Sequence, residues 1–177
     1  MTKFRSKNIG EKPLVYFVGL STKPNCEPLA LKTNTGCIIE KIIYCLPPIK
    51  IIKTNLVRNP PMNNEGKLRY PNFIEMEDGW SALQKELLST VPNLIVTLGQ
   101  QVSFFLRSRM GVKPARTVLP SDFSSQQYLL QASASILSVH HPSHVVIYRR
   151  KDIESYIKNV ALSISTLIDY NSNFSET

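Results

Sequence analysis

Apolar runs of two kinds alternate along this chain, and that alternation restricts its fold more than any other feature. Short runs rich in β-branched and aromatic residues, bounded by Pro or Gly, read as buried strands: residues 14–19 (LVYFVG), 49–57 (IKIIKTNLV), 94–98 (LIVTL) and 136–139 (ILSV). Between them apolar residues recur at helical spacing. Residues 36–44 put Ile38, Ile39, Ile42 and Ile43 on one face, and 75–90 do the same with Met76, Trp80, Leu83, Leu87 and Leu88 before Pro92 bars continuation. Residues 100–109 carry Val102, Phe105 and Leu106; residues 151–168 carry Ile153, Ile157, Val160, Leu162, Ile164 and Leu167. Strand alternating with helix predicts an α/β chain, a three-layer α/β/α sandwich around a central, mainly parallel four-stranded sheet. Strands with so little polar alternation fit a sheet covered on both faces. Residues 1–12 read as a basic N-terminal extension, 13–170 as a single domain and 171–177 as a frayed tail.

Charge narrows the partner. Lys and Arg number 21 against 13 Asp and Glu, a net charge of +8, which favours a polyanion such as DNA. No acid occurs between Leu87 and Ser121, where Arg107, Arg109, Lys113 and Arg116 fall, and Arg149, Arg150 and Lys151 form a second cluster. No apolar run approaches the roughly 20 residues of a membrane helix, so no membrane partner is expected. The polar, basic start of the chain does not read as a secretory signal. The cysteines, Cys26, Cys37 and Cys45, are odd in number and contain no CxxC, which argues against a disulfide framework and a zinc ribbon. They read as reduced thiols of a cytoplasmic protein. Monomer is the default state.

In a doubly wound sheet the ligand sits outside the carboxyl ends of the strands. The segments there are Gly19-Leu20-Ser21, Asn55 onward, Gly99-Gln100-Gln101 and His140-His141-Pro142-Ser143-His144. All three histidines fall in the last, but no carboxylate or cysteine has a matching ligand spacing, so no metal is expected. A histidine held after a buried strand by a proline suits a hydrogen-bond donor or acid. The apolar Val145-Val146-Ile147-Tyr148 and the cations after it have the composition of a wedge that enters a base stack with phosphate contacts behind it. Asn55 offers a donor and an acceptor, which match N3–H and O4 of uracil or, with the amide reversed, N3 and the N4 amine of cytosine. Trp80 reads as core, and Glu75 as a helix N-terminal charge. Arg69 has two readings, a DNA contact or a partner for Glu75.

These segments carry a family resemblance. HPSHVVIYRR resembles the His-Pro-Ser loop of uracil-DNA glycosylases, whose family 1 form reads HPSPLS followed by a similar aromatic-Arg stretch. KTNLVRNPP…LRYPNFIEM…L…VPNLIVTLG is similar to the TN-V-K-C-RPP…R-P…E-I…L…P-K-x-I-x-x-LG pattern of the family 4 and 5 enzymes, and VYFVGLSTKPNCEPLALKTNTG to their VGEAPG…PF…G motif. The match runs from about Val15 to Tyr156 with the motifs in order.

The resemblance implies a monofunctional glycosylase that flips out a pyrimidine nucleotide and hydrolyses its N-glycosidic bond, with no cofactor. It places His141 as the catalytic imidazole, Val145 as the intercalating residue, Asn55 as base reader, and Gly19, Leu20 and Leu29 around the base. Ser143, His144, Tyr148, Arg149, Arg150, Lys151 and Gln100 would then meet DNA. Three departures matter. The cluster cysteines of family 4 are replaced around Arg58-Asn59 and by Gly79, so no iron–sulfur cluster is expected. Ser21 stands where relatives have Asp or Asn, which leaves Ser21, Asn25 and Glu27 as candidates to position water. Leu29 replaces a stacking aromatic, and no tyrosine near Thr22-Lys23 closes the C5 edge, which keeps uracil and C5-modified cytosines, including the glucosylated bases of phage DNA, as substrates and antiphage defence as a role. The serine also leaves room for a catalytically inactive DNA binder of the same fold, and a nucleoside hydrolase is a third reading.

Overall fold

The computed structural model describes residues 12–111, 126–130 and 132–173. In chain order they form β1 (Leu14–Ser21), α1 (Asn34–Tyr44), β2 (Lys50–Val57), α2 (Phe73–Thr90), β3 (Leu94–Leu98), α3 (Gln100–Arg109), β4 (Gln126–Leu130), β5 (Ala132–Val139), α4 (Pro142–Tyr148) and α5 (Ile153–Asn173). The sheet order is β2-β1-β3-β5-β4. β2, β1, β3 and β5 are mutually parallel, as the alternating pattern predicts. β4 adds an antiparallel edge strand that the sequence reading did not foresee.

Side-chain alternation divides the core into two layers. Along β1, Val15 and Phe17 face one side, where they join Val96, Leu137 and the inner faces of α1 and α5. Tyr16 and Val18 face the other, with Ile95, Ile136 and the apolar sides of α2 and α3. Both faces are covered, which is the three-layer sandwich. Trp80 is 7 % exposed in the second layer, as its helical spacing indicates.

Helix starts follow local chemistry. Thr33 caps α1 by accepting from the Gly36 amide at 3.0 Å. Asn72 and Glu75 close a reciprocal capping box on α2. Both helices therefore begin two residues before the apolar periodicity does. α5 runs to Asn173, beyond the frayed-tail boundary set at 171; residues 174–177 and the N-terminal extension up to residue 11 lie outside the described residues.

The described arginines of the acid-free stretch find partners within the fold. Arg107 is fully buried and donates from Nε to Ser138 Oγ at 2.9 Å, and Arg109 pairs with Glu77, so neither is a free surface cation. Lys113 and Arg116 lie outside the described residues. Among the described residues no helix is long and apolar enough to cross a membrane, and no group of three or more His, Cys, Asp or Glu is placed to hold a metal ion.

Gly79, where the resemblance puts a cysteine, has no room for a side chain. A Cβ there would lie 2.0 Å from the Leu56 carbonyl oxygen, because α2 rests its backbone directly on β2. Gly79→Ala is expected to force α2 off the sheet and to lower the melting temperature by about 3–10 °C, an overpacking cost of about 1–3 kcal/mol. Calorimetry checks this, and an unchanged melting temperature would contradict the packing.

Candidate functional site

β1 and β2 run in register with Gly19 opposite Asn55. Asn55 is 3 % exposed, and its amide lies across the glycine: a Cβ on Gly19 would sit 2.2 Å from Asn55 Oδ1. Gly19 is thus the residue that admits the Asn55 side chain. Asn55 Nδ2 donates to Oγ1 of the buried Thr22 at 3.0 Å, which fixes the side chain. An amide held by one N–H still has a second N–H and a carbonyl oxygen to offer.

His141 arrives from the far side of the sheet. It is the N-cap of α4, with Pro142 at the first helical position. The Ser143 amide donates to His141 Nδ1 at 3.3 Å, and Ser143 Oγ lies 2.6 Å from the same nitrogen. A ring nitrogen that accepts from a backbone N–H carries no proton, so the neutral imidazole bears its proton on Nε2. Burial, then the Lys23 ammonium and His144, lower the His141 pKa to about 4, so the ring is neutral at pH 7. Two contacts hold the turn. Buried Tyr156 donates its hydroxyl to the His140 carbonyl at 2.6 Å. Gly99, at φ +95°, lets the turn approach so closely that a Cβ there would meet His141 Cβ at 3.1 Å.

His141 and Asn55 line one cavity of about 80 Å³, together with Leu20, Ser21, Glu27 and Leu29. Lys23, Cys26, Ala30, Thr33 and Thr35 complete its wall. The buried Leu29 holds φ +51°, a conformation bulky residues rarely adopt. Such strain persists only where the surroundings over-determine it, and it gathers at ligand sites. Asn25 also has a positive φ, but it is exposed and borders a different surface hollow, its carbonyl accepting from Lys32 Nζ at 3.0 Å. The structure does not bring Asn25 to the cavity.

The cavity adjoins a groove of about 640 Å³ that shares Leu20, Ser21, Lys23 and His141 and continues past Gly99, Gln100, Ser143, His144, Ile147 and Tyr148. The rings of His140, His144 and Tyr148 form a ladder along α4, with centroids 5.8 and 4.9 Å apart. α4 corrects one expectation. The segment read as an exposed wedge is a helix, and the helix turns Val145 into the core at 2 % exposure. Ile147 and Tyr148, 63 % and 72 % exposed, are the apolar residues that project. Arg149 is ion-paired with Asp152 at 2.8 Å, whereas Arg150 and Lys151 are exposed beyond the groove's lining. Arg69 resolves to the intramolecular alternative: Nη1 and Nη2 each lie 2.8 Å from a Glu75 carboxylate oxygen, on the groove's rim.

Sequence reasoning missed Thr22, Lys23 and Tyr156. Thr22 and Lys23 adjoin the Gly19-Leu20-Ser21 turn, and their proximity was the one available signal; nothing in the sequence marks Tyr156. The fold is a three-layer α/β sandwich with a small cavity at the carboxyl rim of its parallel strands. No protein-family model matches the chain, and no curated protein matches it.

In the unfolded chain His141 takes up its proton near pH 6.5, in the folded chain only near pH 4. Between these values the unfolded state binds more protons, so this group's contribution is complete above pH 6.5 and declines as pH falls towards 4. An NMR titration is expected to show His141 with an inflection near 4; an inflection near 6.5 would contradict the buried, N-capping imidazole.

Proposed function

We propose that this protein is a monofunctional DNA glycosylase of the uracil-DNA glycosylase superfamily, acting as a cytoplasmic monomer on a flipped-out pyrimidine nucleotide. The observation that carries the reading is the convergence of a neutral imidazole donor and a buried amide on one small cavity that opens beside a long groove. The motif order of the sequence supports the family.

In this reading the pyrimidine enters the cavity with its Watson–Crick edge on Asn55 and its O2 towards His141. As the C1′–N1 bond breaks, its electron pair passes to the base, and His141 Nε2–H donates to the developing oxyanion without protonating it. The sugar gains oxocarbenium character. Glu27 offers a carboxylate to that positive charge and accepts the proton of the attacking water, whose oxygen bonds to C1′; Ser21 orients the water. Glu27 and Ser21 are preferred over Asn25 because they line the cavity. Flipping the nucleotide costs a few kcal/mol, and in this reading the exposed Ile147 and Tyr148 fill the gap it leaves. Gln100 and the start of α3, which has no side-chain cap, line the groove, and an uncapped helix start suits a phosphate. A cavity of about 80 Å³ favours a bare pyrimidine. A glucosylated cytosine would have to extend its sugar into the groove, and antiphage defence would follow only for that substrate.

The test is abasic-site formation on oligonucleotides carrying uracil, thymine, cytosine, 5-hydroxymethylcytosine or its glucoside. Product is expected from at least one. His141→Ala is expected to lower the rate by about 10²–10³-fold, with DNA affinity kept within several-fold. No product from any oligonucleotide, or equal rates for parent and variant, would overturn the reading.

A further inference from the structure

A second groove, of about 650 Å³, lies between the start of α2 and the outer face of α3. Gln100 and Gln101 border both this groove and the one beside the cavity, so the two surfaces are continuous. α3 turns Val102, Ser103, Leu106 and Arg107 into the fold and leaves Phe104 outward, 49 % exposed. Phe73, at the first position of α2, is 60 % exposed and meets Phe105 edge-on, with ring centroids 6.3 Å apart. The Arg109 guanidinium lies 5.4 Å from both ring centroids. Of the three carboxylates at this end of α2, Glu75 is matched by Arg69 and Glu77 by Arg109, and neither these nor Asp78 line the groove. The groove therefore presents aromatic side chains and amides with no carboxylate in its lining.

We propose that this face is a stacking platform for unpaired nucleobases next to the target nucleotide, which makes single-stranded DNA the preferred form of the substrate. The inference rests on the glycosylase reading for its occupant and extends it to the strand form. Duplex DNA hides the π-faces of its bases, whereas a single strand offers one per nucleotide, and every base has one. Glutamine amides at the junction bond to base edges without choosing among them. The basic chain as a whole draws in the polyanion, and the local neutrality of the platform suits bases rather than phosphates.

Fluorescence anisotropy with single- and double-stranded oligonucleotides of one sequence tests the platform independently of turnover. The parent is expected to bind the single strand more tightly. Phe104→Ala is expected to weaken single-strand binding by roughly five- to thirty-fold with a smaller effect on duplex. Phe104→Trp, which keeps a stacking ring, is expected to retain the affinity. Equal single-strand affinities for parent and Phe104→Ala overturn the platform, even if abasic product forms; so does a parent that prefers duplex. If self-association vanishes in Phe104→Ala while DNA affinity holds, the face is a protein contact and the platform is overturned. Loss of single-strand binding in Phe104→Ala, with no abasic product from the parent, supports the platform and overturns the glycosylase reading.

Discussion

The imidazole of His141 has one nitrogen engaged by its place in the chain. As the N-cap of a short helix it accepts from the Ser143 amide through Nδ1, and that bond assigns the proton to Nε2. Burial then keeps the ring uncharged. The polarity of the cavity follows, with a neutral donor on one wall and an amide on another. A charged imidazole in the same place could give its Nδ1–H only to Ser143 Oγ, and the cap on α4 would be lost.

The sheet determines where that donor points. β1, β2, β3 and β5 are parallel, so their carboxyl ends share one rim, and each contributes a turn to it. Register does the finer work. Gly19 faces Asn55, and the missing side chain of the first makes space for the amide of the second, which Thr22 then ties down. Gly99 does the same for the His141 turn, and Tyr156 pins that turn from the core through the His140 carbonyl. The strained backbone of Leu29 is held within this frame.

The four parallel strands and the long helices were legible because their signal is local: runs of β-branched residues ended by Gly or Pro, and apolar residues at helical spacing. β4 was not, because the reading of that region depended on one short apolar run, and an edge strand shows little of one. α4 was not, because seven residues are too few for a period and its Val-Val-Ile run reads as strand or loop. That error displaced Val145, whose burial follows from which face of the helix meets the core. Ser21, Asn55 and His141 were legible as a group because parallel topology sends the strand-following residues to one rim, whereas Glu27 and Leu29 were singled out through the resemblance of the first motif. Thr22 and Tyr156 act through tertiary hydrogen bonds, which no spacing in the sequence encodes. Arg107 shows the reverse: its acid-free surroundings suggested a surface cation, and the fold buries it.

The proposed chemistry requires a pyrimidine ring inside the small cavity between Asn55 and His141. A crystal structure with an oligonucleotide carrying a 2′-fluoro-substituted deoxyuridine, which resists cleavage, tests this most directly. The account predicts the base in the cavity, its O2 within hydrogen-bond distance of His141 Nε2 and its N3–O4 edge on Asn55. A base stacked outside in the groove, or a His141 ring turned so that Nδ1 meets the base, would contradict it.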